Sequence, residues 1–562
     1  MDSIDDKPTT RNSSEIVTQL MGDTAIICSL SQRQASLTER VQTLSSIASD
    51  LRTTSLPGIC DVVVSPDRIT VIYDPLIIHC VDTFVASVKE AVTQQHTPVT
   101  AGSLYEVPVC YGNDTGADFD TLCRHHGMNS RTLIDLHTKP EYLVTAIGFV
   151  PGFPYLAGLP KKLETPRLST PRRQVPAGSV GIGGSQTGVY PFPTPGGWHL
   201  IGQTDMKFFD QNSSSPALLQ PGDNVRFHKS KHVNTPADQP LTTAYKRGTT
   251  KNISVLEPGL MTTVQDLGRS GFRSSGVPYS GAADRVSAIL ANSIVGNPDH
   301  AAVLEYTLLG PTLRFEADTV IAVAGTEHDS IPSLRPIHIN RGDTITIGHA
   351  SQGCRGYIAV AGGVCVPPAL QSLSTYLPAT FGGFGGRPLR AGDQLSIGKP
   401  LVAPTSFAWS IHNELIPFQS NPCTLRILPE FLSSTRCFSL PDTLFSVTAQ
   451  SDRMGIRLCG TLPQAPPTMT SRAVLPGTVQ LPPDGNPIIL LCDAQTIGGY
   501  PVLGHVISAD LPRAAQLRPG DSVRFTETNL AEAHRLLRSQ HDLLATVQRG
   551  IGSKLGPAEK TS

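Results

Sequence analysis

The chain has 562 residues, so at about 100–200 residues per domain it holds several domains. Lys+Arg 45 against Asp+Glu 46 leaves a formal net charge of -1, which argues against a nucleic-acid or anionic-membrane binder. Charged residues are only 16%, hydrophobics are 39%, and Gly 50 with Pro 47 mark a turn-rich chain with enough apolar residues for packed cores.

Residues 1–20 are polar and are read as a disordered N-terminus. Residues 21–100 read as an α+β unit. Thr24–Leu30 is a strand, and Leu37, Val41, Leu44, Ile47 and Leu51 recur at helical spacing. Asp61–Tyr73 is one strand-like run, Val81, Phe84, Val85, Val88 and Val92 mark a second helix, and Pro98 with Gly102 breaks the pattern. Residues 101–227 open with two short helices, one capped by Asp118 and ended by Gly127, the other capped by Ser130, with His137 near its end. From Tyr142 to Phe227 short apolar runs alternate with Gly and Pro, which predicts a barrel of short strands.

Residues 228–250 have no hydrophobic period and read as a linker. Two barrel-like units are expected at 251–400 and 401–527, and a helix and tail at 528–562. One helix follows Ser280, read as its N-cap rather than as a nucleophile, with Val286, Ile289, Leu290 and Ile294 on one face and Gly296 as its stop. The last helix runs from Asn529 to about Val547, with Asn529 and Glu532 as a capping box. The expected fold class is therefore mainly β, with an α+β N-terminal part.

The chain also repeats itself. PGDNVRF at 221–227 returns as PGDSVRF at 519–525, with looser copies RGDTITI at 341–347 and AGDQLSI at 391–397. QTGVYP at 186–191 is echoed by QTIGGYP at 495–501, which suggests duplicated barrels.

The 11 cysteines are scattered, without C-x-x-C spacing, as in a reduced intracellular protein. The acidic start MDSIDDKPTT is no signal peptide, Ser553-Lys554-Leu555 is not terminal, and no run approaches ~18 apolar residues; a cytoplasmic protein is expected. The phosphate loop, H-E-x-x-H, the G-x-S-x-G elbow and the Rossmann turn are all missing, which weakens standard kinase, metalloprotease, hydrolase and dehydrogenase readings.

The densest wording is GFVPGFPYLAGLP at 148–160, continued through 165–204. Arg167, Arg172 and Arg173 beside Pro166 and Pro171 have forks suited to carboxylate or phosphate. On residue types alone an equal alternative stands, in which the glycines shape turns and the arginines pair with local acids.

This segment, with GDTA at 22–25, PGI at 57–59 and YDP at 73–75, closely resembles the allophanate hydrolase subunit 1 family, also described as the B component of ATP-dependent 5-oxoprolinase. The second half resembles the companion subunit 2 family, the C component of that enzyme. Its matching residues include EPGLMTTVQDLGRSG at 257–271, GVPYSGAADRVSAILAN at 276–292, FGGFGGRPLRAGD at 381–393 and SDRMGIRL at 451–458. The resemblance covers nearly all of 22–527 and implies a B–C fusion built on tandem cyclophilin-like β-barrels, related to the carboxyltransferase domain of urea carboxylase. It further implies ATP and Mg²⁺ as cofactors, a separate partner protein resembling the A component of 5-oxoprolinase, and a small lactam or amide substrate, 5-oxoproline opened to L-glutamate.

On that basis Arg167, Arg172 and Arg173 are assigned to phosphate or carboxylate binding, and Gln186, Thr187 and Tyr190 to neutral hydrogen bonds. Gln265, Asp266 and Arg269 are the catalytic candidates; Asp266 either binds metal, orients Arg269 or forms an internal salt bridge. Arg453 and Arg457 face an anion or are surface charges. Gln495, Thr496 and Tyr500 repeat the first trio, so that the barrels face one another across a shared site. No metal ligand set is identified. Three positions depart from the family pattern: Gln203 and Leu373 stand in place of Arg, and Arg472 in place of an acid. Two other readings stay open: a biotin-dependent carboxyltransferase component whose biotin sits on another chain, since no A-M-K-M acceptor occurs here, and a non-catalytic regulatory binder like the family's kinase inhibitor and antagonist pair.

Overall fold

The computed structural model describes residues 16–557 apart from 31–34, 55, 94–101, 232–251, 413–420, 433–434, 437–442, 461 and 463–470. The fold is mainly β, with two closed seven-stranded barrels. Most of the expected linker, and Pro98, lie outside the described residues.

The N-terminal unit is a four-stranded sheet in the order 16–21, 25–30, 68–73, 59–65, backed by α1 (Leu37–Thr53) and α2 (Val81–Thr93). A strand thus begins at Ile16, inside the segment read as disordered, and the single run expected at Asp61–Tyr73 is a hairpin turning at Pro66-Asp67. Ser36 and Glu39 start α1 with a reciprocal capping box. Leu44, Ile47, Leu51, Phe84 and Val88 fill the core on that face of the sheet.

Strands 104–111, 142–147, 154–157, 179–183, 186–189, 199–203 and 224–229 close the first barrel. Strands 423–429, 445–447, 455–459, 478–480, 488–490, 502–506 and 522–527 close the second. With strands numbered within each barrel, both follow the same circular order, 1-7-2-3-5-4-6. In both, strand 7 runs parallel to strand 1. The PGD copies at 221–223 and 519–521 lead into these seventh strands. In all four Gly-Asp turns the Gly has φ near +90°, and the Asp carboxylate accepts the N–H three residues earlier: Gln220, Arg518, Asn340 and Arg390, at 2.7–2.8 Å.

The equivalence runs deeper than strand order. Gly202 and Gly504 both sit where a Cβ would fall within 2.6 Å of a carbonyl of the facing first strand (Cys110, Leu428). In each barrel a short ribbon lies outside the closed sheet. Arg172 pairs with Gly196 in one, and Arg472 pairs with Gly498 in the other. The segment QTIGGYP is therefore the counterpart of the stretch around TPGG at 194–197. It does not match QTGVYP, whose Gln186-Thr187 open strand 5; the expected repeat of the Gln-Thr-Tyr trio is corrected accordingly.

Between the barrels, the unit expected to be barrel-like at 251–400 is a pair of open five-stranded sheets. One has the order 344–349, 309–315, 252–257, 394–397, 364–365; the other has 262–265, 303–307, 355–360, 319–324, 337–339. A shared core includes Ile253, Leu304, Tyr306, Phe315 and Ile358.

Among the described residues there are five further α-helices: α3 (Phe119–His125), α4 (Ser130–Thr138), α5 (Arg285–Ile294), α6 (Leu511–Ala515) and α7 (Leu530–Gly552). Asn129, not Ser130, caps α4, accepting from Thr132 N. Asp284, not Ser280, caps α5, accepting from Ser287 N and Ser287 Oγ. Asp118 precedes α3 but makes no side-chain cap bond. Asn529 caps α7, while Glu532 pairs with Arg535, so only half of a capping box forms. Among the described residues no helix is long and apolar enough to cross a membrane.

The two halves share buried cores. One joins Met21, Ala25 and Val63 of the N-terminal sheet to Phe153, Tyr190 and Trp198 of the first barrel and to Ala473, Leu475 and Ile497 of the second. Another joins Phe209 to Val277, Tyr376 and Phe381. The barrels meet through the first of these, with the N-terminal sheet as a third party.

Candidate functional site

The three catalytic candidates fall together, at the seam between the middle sheets and the second barrel. Strand 262–265 delivers Gln265, fully buried; its amide donates to Thr263 Oγ1 at 3.0 Å and to the Thr375 carbonyl at 3.3 Å, while its Oε1 is buried without a partner. The turn that follows needs Gly268, because a Cβ there would meet the Tyr279 carbonyl at 2.6 Å. Asp266 accepts from Gly268 N (2.8 Å), Ser372 Oγ (2.7 Å) and Leu373 N (2.6 Å). Its carboxylate shapes the 372–374 loop and makes no direct salt bridge to Arg269.

Arg269 is 2% exposed, donating to Ser280 Oγ at 3.1 Å and to the Ser374 carbonyl at 2.6 Å, with its guanidinium 5.0 Å from the Phe381 ring centroid. Burial pulls its pKa down to about 10, against the opposing pull of Asp266 and Asp493. Its Nε has no partner, and neither has the buried hydroxyl of Tyr376, which lies in the field of Asp493 and Arg269. Burial pushes that phenol's pKa up.

Arg453 is the charge centre of the seam. It donates to Asp493 from Nε (2.8 Å) and Nη2 (3.1 Å), to the Gly281 carbonyl (2.7 Å) and to Glu305, whose other oxygen accepts from Ala283 N at 3.0 Å. Arg457, four residues on, is exposed, so the two do not form a joint anion site. Ser280 sits at φ +53°, its N–H donating to the Cys492 carbonyl and its hydroxyl to the Asp493 carboxylate. Leu370, Gln371 and Thr380 also have φ between +51° and +62°. Four non-glycine residues held left-handed around one polar cluster mark stored backbone strain of the kind that concentrates at working sites. Glu305, Tyr376, Ser374 and Asp493 went unread in the sequence. For Glu305 and Asp493 the signal was an acid inside the apolar runs VLEYT and LLCDA, because a buried charge must be paired; Ser374 and Tyr376 carried none.

The first-barrel candidates scatter. Thr187 is buried inside the barrel, donating to the Gly181 carbonyl and bonded to His137 Nε2 at 3.0 Å. Tyr190 is packed in the inter-half core, and Gln186 is half-buried at the start of strand 5. Arg172 is taken up by Asp118 (2.5 Å) and the Trp198 carbonyl (3.3 Å). Arg167 is exposed, 5.8 Å from the Trp198 ring centroid, and Arg173 is exposed. In the second barrel Gln495 donates to Gln480 at 3.3 Å, Thr496 is buried with its hydroxyl unpartnered, and Tyr500 is on the surface.

The three departures each have contacts. Gln203 donates to the Ala177 carbonyl at 2.7 Å, and Leu373 packs at the edge of the middle core. Arg472 pairs with Glu430 at 2.9 Å, and Glu430 also meets His505 Nε2 at 2.9 Å. Burial opposes ionisation of Glu430, yet the bond and charge of His505, with Arg472, win and hold it down to about 2. Arg472–Glu430 is the second barrel's version of Arg172–Asp118, an Arg of the outer ribbon on an acid that follows strand 1.

Two duplicated barrels flank an open double sheet, with a strained, ion-paired seam against the second barrel. The carboxyltransferase domain, subdomain C and D, matches residues 16–219, and subdomain A and B matches 275–527; the chain belongs to this family. It unites in one polypeptide counterparts of two separate proteins. It is 41% identical over 207 residues to the B component of 5-oxoprolinase from Haemophilus influenzae, spanning 37% of this chain and 94% of that one. It is 34% identical over 316 residues to the C component from the same organism, spanning 54% of this chain and 99% of that one. The urea amidolyase of Lachancea kluyveri is 33% identical over 328 residues, 53% of this chain but only 18% of that protein. The crystal structure of TTHA0988 superposes with a TM-score of 0.77 at 34% identity, covering 89% of this chain and 99% of that one.

Proposed function

We propose that the chain is the fused B–C component of an ATP-dependent 5-oxoprolinase, opening 5-oxoproline to L-glutamate together with a separate A component. The observation that carries this reading is the near-complete span of both 5-oxoprolinase relatives, in B-then-C order, by two halves that share buried cores. An unstrained lactam is a poor electrophile. Phosphorylating its carbonyl oxygen would supply a leaving group, after which positioning and stabilisation of developing negative charge dominate. The donors without partners at the seam, Arg269 Nε and Tyr376 OH, suit that second task. The exposed Arg167 and Arg173 suit recognition of a carboxylate or phosphate.

These side chains form no protein cage for magnesium, which would enter with the phosphates of the nucleotide. Asp266 is committed to three donors, and among the described residues no group of three His, Cys, Asp or Glu is placed to hold a metal ion.

The test is ADP and glutamate release from ATP, Mg²⁺ and 5-oxoproline, with and without a homologue of the A component. The expected result is lactam-dependent ADP with matching glutamate only when that partner is present; no turnover beside an active control B–C pair would sink the reading. The similarity to urea amidolyase favours a second reading, a carboxyltransferase fed by biotin on another chain. Turnover blocked by avidin would select it.

Tyr376→Phe sharpens the site assignment. Removing a buried hydroxyl without a partner is neutral or stabilising for the fold. If that hydroxyl serves the developing charge, kcat falls roughly 10²-fold or more. An unchanged kcat would take Tyr376 out of the chemistry.

A further inference from the structure

Away from the seam, a polar cleft lies where three parts of the chain meet: the end of α1, the 214–221 loop of the first barrel and the 271–275 turn of the second half. It is open to solvent on one side and has a volume of about 170 Å³. Cavities of ~150 Å³ accept a six-carbon ring, so there is room for a small organic acid as well as for inorganic phosphate. Among the described residues that line it, Arg52 is the one charged side chain, and no carboxylate faces it. The polar remainder is mostly hydroxyl, from Ser214, Ser215, Ser274 and Ser275.

The walls are fixed from outside. Ser45 Oγ donates to the Pro221 carbonyl at 2.5 Å, Gly152 N to the Ser275 carbonyl at 2.9 Å, and Arg273 N to Asp61 at 2.8 Å. Arg52 is steadied by one bond, Nη2 to the Val62 carbonyl at 2.7 Å. The nearby acid, Asp61, accepts from Val62 N and Arg273 N and acts on Arg52 through its charge, but it lies behind the wall and is not among the residues that line the cleft.

We infer that this cleft is a small-anion site, taking a phosphate or a small carboxylate on the Arg52 guanidinium and the four serine hydroxyls. Guanidinium forks recognise both anions bidentately. An occupant held by three chain segments would tie the N-terminal unit and first barrel to the second half. Binding here needs no turnover, so the site stands or falls independently of the reaction.

The test is calorimetric titration of the full chain with inorganic phosphate and, separately, with L-glutamate and 5-oxoproline, against chloride at equal ionic strength, with thermal midpoints in parallel. Saturable binding and a raised midpoint are expected in the wild type. Phosphate alone saturating would identify a phosphate site, and a carboxylate alone saturating an organic-acid site. Arg52→Gln should weaken binding at least about tenfold, the loss expected for a charge-assisted pair. Ser214→Trp, an exposed mouth position, should block it while the anion-free midpoint stays put. Unchanged affinity in both variants, or no saturable binding of any of these anions, would overturn the assignment.

Discussion

Arg453→Ala should cost about 3–5 kcal/mol, the range for removing one partner of a buried ion pair. The structure places it near the top of that range. Its departure strands two carboxylates, Glu305 and Asp493, both 2% exposed, in a seam that water does not reach. Arg453 also holds the Gly281 carbonyl, so the strained Ser280–Gly281 turn loosens with it. Arg453→Lys keeps the charge but has no fork to meet Asp493 twice and Glu305 once, and should fall between the two. Urea unfolding of the transition that includes the second barrel gives the measurement, with Arg457→Ala as control. Arg457 is exposed, and its loss should change stability by no more than about 0.5 kcal/mol. Equal effects at 453 and 457 would remove the seam's ion pairs from the stability account.

That contrast shows where sequence reasoning reached and where it stopped. Arg453 and Arg457 looked alike because four-residue spacing suggests a common face. In fact only Arg457 belongs to the strand, Gly455–Cys459, while Arg453 lies before it and turns inward. Barrel character was legible because Gly and Pro punctuate short apolar runs, and α1 and α2 were legible because their apolar stripes are regular. The duplication was legible through the PGD turns, whose geometry recurs because Gly takes φ near +90° and Asp closes the turn.

Its second clue misled. QTGVYP and QTIGGYP share letters at places that strand order shows to be different. The true counterparts share pairing partners and close backbone approaches instead, and neither is visible as letters. Ser280 failed as a cap because Asp284 stands at the right distance from Ser287, while Ser280 is held by long-range partners, Arg269 and Asp493, about which local pattern says nothing. The seam was half legible. Its acids sit in apolar runs, Glu305 in strand 303–307 and Asp493 in the turn after strand 488–490, and needed partners, but which cation would reach them depends on contacts between strand 303–307 and a turn some 150 residues later.

His137 provides the other large effect, and it appears as acid sensitivity. It was legible only as a residue near a helix end; the structure puts its ring in the first barrel's core. There its Nδ1 meets Tyr111 OH at 2.8 Å and its Nε2 meets Thr187 Oγ1 at 3.0 Å, with Phe227 stacked 4.7 Å away. Burial pulls its pKa from 6.5 down to about 3. The native state therefore refuses a proton that the unfolded chain accepts, and folding stability is complete above about pH 6.5 and falls as the pH drops toward 3. The slope approaches about 1.4 kcal/mol per pH unit in that window, and the full loss is about 4–5 kcal/mol. His137→Gln keeps hydrogen-bonding capacity without a titrating ring. It should unfold more easily than wild type at pH 7, yet lose about 2 kcal/mol less between pH 6.5 and 5. Other acid-labile groups act on both proteins and cancel in the difference. Unfolding midpoints at matched ionic strength across pH 7 to 4 measure it, and parallel acid profiles for the two proteins would show that the barrel core does not hold this ring neutral.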